Sequence, residues 1–432
     1  MRRIPGAFSF GPKIDMEPKN TDDVIDALFP LPRWEFIAIC AALMAVNALA
    51  IDIMLPALQQ IGASLGVESE NHRQFVITAY VAGMGLALLF YGPASDRFGR
   101  RGPLLFGLSI YILAAFAAAF APSFEILLVL RFIQGIGAAS TRVIAVSIVR
   151  DRYGGRQMAE IMSLVFMVFM IIPVLAPGIG QLIMLFSEWH MIFVVMSVTA
   201  LAITAWTALR MPETMHPQDR RPLSLMSIVN GFRIVLTTRV SLFYTLASMI
   251  IFGSLFGFIN SAQQVYVGIY GLGVWFPLVF AAIAAMMSVS SFLNSRLVVK
   301  LGMRRLSHGA LLGFTVVSAI WFAWSLTGWV PFPVFVVLFA AAMFQFGWIG
   351  SNFNAIAMEP LGHIAGTASS VQSFMQTVGG GLIGAFIGQS FDGTVMPLAL
   401  GYVSVALLGL VMVLIAERGK LFSAPGAPAK PH

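Results

Sequence analysis

The sequence predicts an all-α integral membrane protein: twelve transmembrane helices in two pseudo-symmetric six-helix bundles. Apolar residues make up 58% of the 432 residues and charged residues 10%, against about 45–50% and about 25% in soluble domains. The apolar residues fall into twelve blocks of roughly 20, the length a helix needs to cross about 30 Å of hydrocarbon. A charged loop after the second block, Tyr91 to Arg101, returns in weaker form 203 positions later. There Ser295, Val299, Lys300, Leu301, Gly302 and Arg304 stand for Gly92, Asp96, Arg97, Phe98, Gly99 and Arg101. One such loop in each half implies a duplicated bundle.

The blocks run over 34–58, 74–95, 103–122, 125–148, 161–186 and 190–209, then 241–266, 273–294, 307–328, 332–357, 367–390 and 396–416. The expected organisation is an N-terminal segment 1–33, a six-helix bundle 34–209, a connector 210–240, a second bundle 241–416 and a tail 417–432. Residues 1–33 mix Lys and Arg with Asp15, Glu17, Asp22, Asp23 and Asp26, which is not the layout of a cleavable signal peptide. The lone cysteine, Cys40, lies inside an apolar block, so disulfide frameworks and cysteine metal sites are excluded. All six histidines fall in loops or at block ends, and no nucleotide-binding loop or metal-spaced cluster occurs. No metal, no cofactor and no enzymatic activity is expected.

Basic residues set the expected orientation. An even number of spans puts both termini on one side, and calling that side cytoplasmic places 23 of the 26 Lys and Arg inside. Only Arg73 falls outside, while Arg131 and Arg142 lie within a span. The net charge of +7 is thus a topology signal, and no nucleic-acid partner is expected. Trp34, Trp189, Trp206 and Trp329 fall near span ends, as interface anchors do.

Chemistry should show in the membrane interior. Of 19 acidic residues only Asp52 lies well inside a block, and a carboxylate in hydrocarbon must be paired, hydrated or protonated. Arg131 enters the fourth block to a similar depth, and a guanidinium keeps its charge and so needs a counter-charge or water. An Asp52–Arg131 interaction, direct or through water, is the simplest expectation. Burial would favour the neutral acid and the guanidinium the carboxylate, a balance suited to proton exchange. Arg142 follows Arg131 by eleven residues, about 20° off the same helix face and about 16 Å farther along. Two readings stand for Arg142: it lines a cavity with Arg131, Gln134 and Ala138, or it extends to the headgroups.

These motifs resemble the major facilitator superfamily. The loop YGPASDRFGRR is similar to its G-x-x-x-D-R-x-G-R-R signature, and LRFIQGIGAAS to its R-x-x-Q-G-x-G-A-A element, through Arg131, Gln134, Gly135 and Gly137. IDIMLP, with Asp52, Leu55 and Pro56, resembles an element of twelve-helix drug:proton antiporters. APGIGQ keeps only Pro177 and Gly180 of their helix-5 element, Ile172, Ala176 and Gln181 standing in place of glycines. VRDRYGG and EPLGHIAGTASS make the chain most similar to the bicyclomycin and chloramphenicol resistance exporters. Met44 stands where some relatives carry a second acid. The resemblance implies proton coupling through Asp52 and Arg131. It also implies a cytoplasmic gate of Gly92, Asp96, Arg97, Gly99, Arg100, Arg101 and Asp151, with Asp96 capping the eleventh helix.

The expected substrate face draws on Asn47, Tyr80, Arg131, Gln134, Arg142, Tyr244, Phe256, Asn260, Trp348, Asn352, Gln372 and Gln376. The functional expectation is a monomeric, lipid-embedded transporter of the bacterial inner membrane. It would export small amphipathic drugs, amphenicol- or bicyclomycin-like, in exchange for protons, and so confer antibiotic resistance. The alternative is a proton-coupled porter of a physiological metabolite such as an organic anion.

Overall fold

The computed structural model describes residues 31–153, 157, 158, 160–162, 164, 165, 171–216, 218, 220 and 225–422, without the side chains of 225, 227, 228 and 362–367. Among them every regular element is helical. The first six spans are α1 Arg33–Asp52, α2 Phe75–Phe98, α3 Arg101–Ala118, α4 Phe124–Arg152, α5 Ile171–Phe186 and α6 His190–Arg210. After a connector helix, Leu225–Thr237, come α7 Arg239–Gln263, α8 Phe276–Leu301, α9 Met303–Ser325, α10 Phe332–Met358, α11 in two pieces, Ala365–Phe374 and Gly380–Gln389, and α12 Met396–Ala416.

Ten helical stretches among the described residues are long and apolar enough to cross a bilayer. The other two spans account for themselves. The described part of α5 has 16 residues, and the π turn Met375–Gly379 divides α11. The first span runs past its expected end at 58, to Ser64. It bends after Asp52, where Pro56 opens a 3-10 turn, Leu55–Ala57, because proline has no N–H to continue the helix.

Each helix pair of the first bundle has a counterpart six helices on. α2 packs on α4 as α8 does on α10, α3 on α4 as α9 on α10, α3 on α6 as α9 on α12, and α1 on α4 as α7 on α10. The two bundles meet through α2 with α11 and α5 with α8, contacts that the same duplication relates. Both loop glycines share one backbone shape: Gly99 has φ 90 and ψ 170, Gly302 φ 80 and ψ 153. Positive φ there ends α2 and α8 sharply at little steric cost only for glycine.

Phe106, Phe116, Phe186, Val337 and Phe386 are exposed, which is ordinary where the surrounding solvent is hydrocarbon. Trp34 and Trp329 are exposed near span ends. Trp189 departs from its expected place: it is buried against Phe193, and its backbone N–H donates to Gln60.

Candidate functional site

A polar network holds α1, α2 and α4 together. Arg131 is fully buried. Its Nε donates to the Val76 carbonyl at 3.1 Å, Nη1 to Gln134 Oε1 at 2.8 Å and Nη2 to the Ala50 carbonyl at 3.0 Å. The Ala50 carbonyl lies in the last turn of α1, where helix acceptors lack intrahelical donors. The guanidinium also rests 4.5 Å from the centre of the Tyr80 ring. Tyr80 Oη donates to Asn47 Oδ1 at 3.4 Å, and Asn47 Nδ2 to Thr141 Oγ1 at 2.7 Å. Gly135 permits this packing, because a Cβ there would meet the Tyr80 carbonyl at 2.1 Å.

The expected direct Asp52–Arg131 pair is absent among the described residues. Arg131 spends its donors on neutral acceptors, one of them the Ala50 carbonyl that the last turn of α1 leaves without an intrahelical donor. Asp52 is buried at that bend, with no hydrogen bond or ion pair among the described residues. Beside it, α5 packs closely through buried Pro177 and Gly180. A Cβ on Gly180 would lie 2.1 Å from the carbonyl oxygen of Ile53. Arg142 is partly buried and likewise has no hydrogen bond or ion pair among the described residues.

In the second bundle the polar residues mostly bond one another. Asn352 Nδ2 donates to Asn294 Oδ1 and to the Trp348 carbonyl, both at 2.7 Å. Trp348 Nε1 donates to the Ser290 carbonyl at 2.9 Å. Gln372 and Gln376, named with Asn352 on the expected substrate face, converge on Asn354 Oδ1, the former at 3.0 Å. Buried Phe256 packs where Gly384 brings α11 against α7. Asn260 is buried with Oδ1 unsatisfied among the described residues.

Tyr244 lies away from the expected substrate face. Its hydroxyl donates to Glu417 Oε1 at 2.8 Å and lies 2.7 Å from His308 Nε2. Glu417 also accepts from Arg304 Nε at 2.8 Å, and Arg304 pairs with Glu359 at 2.9 Å. His308 Nδ1 accepts the Phe422 N–H at 3.0 Å. A ring nitrogen that accepts is unprotonated, so Nε2 carries the hydrogen and donates to Tyr244.

The first charged loop is organised within its own bundle. Arg100, 3% exposed, pairs with Asp96 at 2.5 Å and Asp151 at 2.7 Å. Burial works against its charge, but the bonds from Asp151 and Asp96 outweigh that and raise its pKa above the usual arginine value. Glu213 accepts the backbone N–H groups of Arg100 and Arg101 at 2.8 and 3.1 Å, an anion at the start of α3. A Cβ on Gly99 would sit 2.5 Å from that carboxylate. Arg101 reaches the Ala208 carbonyl, and exposed Arg97 makes no ion pair among the described residues. Gly92 faces Ser370 of α11. The expected cap of Asp96 on the eleventh helix falls at 362–367, whose side chains lie outside those described.

At the opposite end, amides join the two bundles. Asn71 Nδ2 donates to the carbonyls of Gln389 and Phe391 at 2.9 and 3.0 Å, and Gln389 Nε2 returns a bond to the Asn71 carbonyl at 2.6 Å. Gln264 Nε2 donates to Asn71 Oδ1 at 2.7 Å, and Gln74 Nε2 to Gln264 Oε1 and the Gly388 carbonyl. Sequence reasoning passed over these amides, as it did Glu213, Asn294 and Asn354. Short amides near span ends carry no periodic signal, and the partners of Asn71 and Gln74 are 190 to 320 residues away.

Comparison with known proteins agrees with this architecture. The family model described as Major Facilitator Superfamily matches residues 37–385. A bicyclomycin resistance protein homolog of Haemophilus influenzae is 32% identical over 367 residues, covering 84% of this chain and 91% of that protein. The multidrug resistance protein MdtL of a Shewanella species is 36% identical over 214 residues, 48% of this chain and 54% of that one. Among solved structures, a partially occluded, inward-open conformation of the Escherichia coli xylose transporter XylE superposes with a TM-score of 0.68 at 12% identity, covering 93% of this chain and 99% of that one. The human organic anion transporter MFSD10 gives 0.64 at 16% identity, over 89% and 100%. The fold, the duplicated loops and a family match over most of the length agree: this chain is a multi-pass membrane transporter belonging to the Major Facilitator Superfamily.

Proposed function

We propose that the protein exports small amphipathic drugs, of amphenicol or bicyclomycin type, from the bacterial cytoplasm in exchange for protons. The observation that carries this reading is Asp52: a buried carboxyl at a helix bend with no bonding partner among the described residues. Such a group is free to take up and release a proton without first breaking an ion pair. The similarity to a bicyclomycin resistance protein homolog supports the cargo class.

In this mechanism both termini lie in the cytoplasm, and bundles 34–209 and 241–416 rock about the α2–α11 and α5–α8 contacts, with 210–240 linking them. A proton arriving from outside neutralises Asp52 at the bend of α1, which α5 grips through Gly180. Neutralisation removes the cost of enclosing the charge and favours the state closed to the outside. Proton loss inward and cargo capture favour the return. Arg131 positions α1 by holding the Ala50 carbonyl, and the amides around Asn71 close the outer end. The loop of Gly92, Asp96, Arg97, Gly99, Arg100, Arg101 and Asp151 serves as the inner gate. The protein acts as a monomer in the inner membrane, and its chemistry requires no cofactor.

Substrate-induced proton release from purified protein, weakly buffered near neutral pH, tests this reading. Release on adding an amphenicol supports antiport. Silence to drugs with a response to an organic acid moves the assignment to a metabolite porter, the reading that the unpaired Arg142 favours.

A further inference from the structure

Arg142 lies within a span with neither a hydrogen bond nor an ion pair among the described residues, whereas Arg131, likewise without a counter-charge, has its donors bound to neutral acceptors. Arg142 follows Arg131 on nearly the same face of α4, about 20° away. Ile126, Val129 and Ile133, the exposed large apolar residues of that helix, lie roughly opposite. Its partial exposure therefore opens to the interior of the protein and not to lipid.

Extension to the headgroups does not account for it. Arg142 stands six residues before the end of the fourth apolar block at 148, about 9 Å of helix rise. Side chains on a helix lean toward its N-terminus, which for α4 points deeper into the membrane.

No acid among the described residues supplies a counter-charge. Glu35 is engaged by Arg210 and Trp206, and Asp96 and Asp151 are engaged by Arg100. Glu359 and Glu417 are engaged by Arg304. Asp52 lies at the level of the Ala50–Arg131 contact, about 16 Å from Arg142 along α4. On the adjoining face Thr141 is bonded to Asn47, so the neighbouring polar groups are already paired with each other.

We propose that Arg142 binds an anionic group of the cargo, and that amphipathic carboxylates are substrates alongside neutral drugs. This deepens the export reading and rests on it. A guanidinium stays charged and presents a planar fork that fits a carboxylate through two parallel bonds. Until cargo arrives it is hydrated. On occlusion the carboxylate takes the place of that water, so the closed interior holds a paired charge. Exchange of one proton for a carboxylate moves one more charge across the membrane than exchange for a neutral drug, so its rate should respond more steeply to membrane potential.

The test is uptake into proteoliposomes under an imposed pH gradient, with 1-naphthoate, chloramphenicol and tetraphenylphosphonium as anionic, neutral and cationic probes. Wild-type protein should move naphthoate and chloramphenicol. Arg142→Gln should lower the ratio of naphthoate to chloramphenicol uptake about tenfold, about 1.4 kcal/mol of differential binding. Should that variant not fold, Arg142→Lys replaces it: charge without the fork should weaken naphthoate selectively. Equal effects on both probes, or no effect on naphthoate, overturn the assignment. Wild-type transport of chloramphenicol without naphthoate overturns it too, while the export reading stands. Transport of no probe overturns both.

Discussion

Gly180 of α5 lies directly against the carbonyl oxygen of Ile53, at the bend of α1 that follows Asp52. A Cβ at residue 180 would approach that oxygen to 2.1 Å, a distance only backbone movement could relieve. The glycine of the helix-5 element that survives in this chain is therefore the one that sets the spacing beside the buried carboxyl. Gly180→Ala should push α5 off α1 at a cost of about 1–3 kcal/mol. Transport should fall severely while membrane insertion persists. Wild-type transport in proteoliposomes would show that this contact does not bear on function.

Asp52→Asn mimics the protonated side chain at constant size. Drug binding, measured by tryptophan quenching, should persist, while pH-driven uptake should be lost. A variant that still couples uptake to the pH gradient would remove Asp52 from the mechanism.

Arg131 should behave as a structural pin. Its guanidinium satisfies the carbonyls of Ala50 and Val76 and the Gln134 amide in a fully buried site. Arg131→Gln orphans buried acceptors, at about 3 kcal/mol, so thermal unfolding in detergent should move several degrees lower. Arg142→Gln, at a partly exposed site without bonds, should shift it far less. Equal shifts would contradict the difference in environment.

The Asn71 seal predicts a conformational effect. Asn71→Ala removes side-chain bonds to Gln264, Gln389 and Phe391 across the two bundles. The outer-open state should become more populated, read as faster labelling of a Gln263→Cys reporter by an impermeant maleimide from outside. Cys40 is buried and should not interfere. Unchanged labelling would mean that these amides do not hold the outer end shut.

The loop network predicts a local stability effect. Asp151→Asn leaves buried Arg100 with Asp96 as its ion-pair partner among the described residues, a loss of about 1.5–3 kcal/mol. Proteolysis at the loop, or its hydrogen exchange, should accelerate there before it does elsewhere. Uniform acceleration would argue against an independent clamp.

Length, hydropathy and repetition determined the architecture, because crossing hydrocarbon demands about 20 apolar residues in a helix whatever its neighbours are. The loop glycines and the arginine–glycine element of α4 were legible for a related reason. A positive φ or a backbone approach within van der Waals contact leaves glycine as the residue that fits. The special status of Asp52, Arg131 and Arg142 could also be read directly, since a charge inside a span is conspicuous.

Which groups those charges meet was not legible. Asp52 and Arg131 share a depth, yet the guanidinium bonds the Ala50 carbonyl in the last turn of α1 and not the carboxylate. Gln372 and Gln376 share a face, but nothing in the sequence marks Asn354 as the partner on which they converge. Glu213, Glu417 and the Asn71 amides are short polar residues outside any period. Each acquires its role when duplication and helix crossing bring it to a group more than a hundred residues away. Periodicity reports which face of a helix a residue occupies, and only tertiary packing determines what stands opposite.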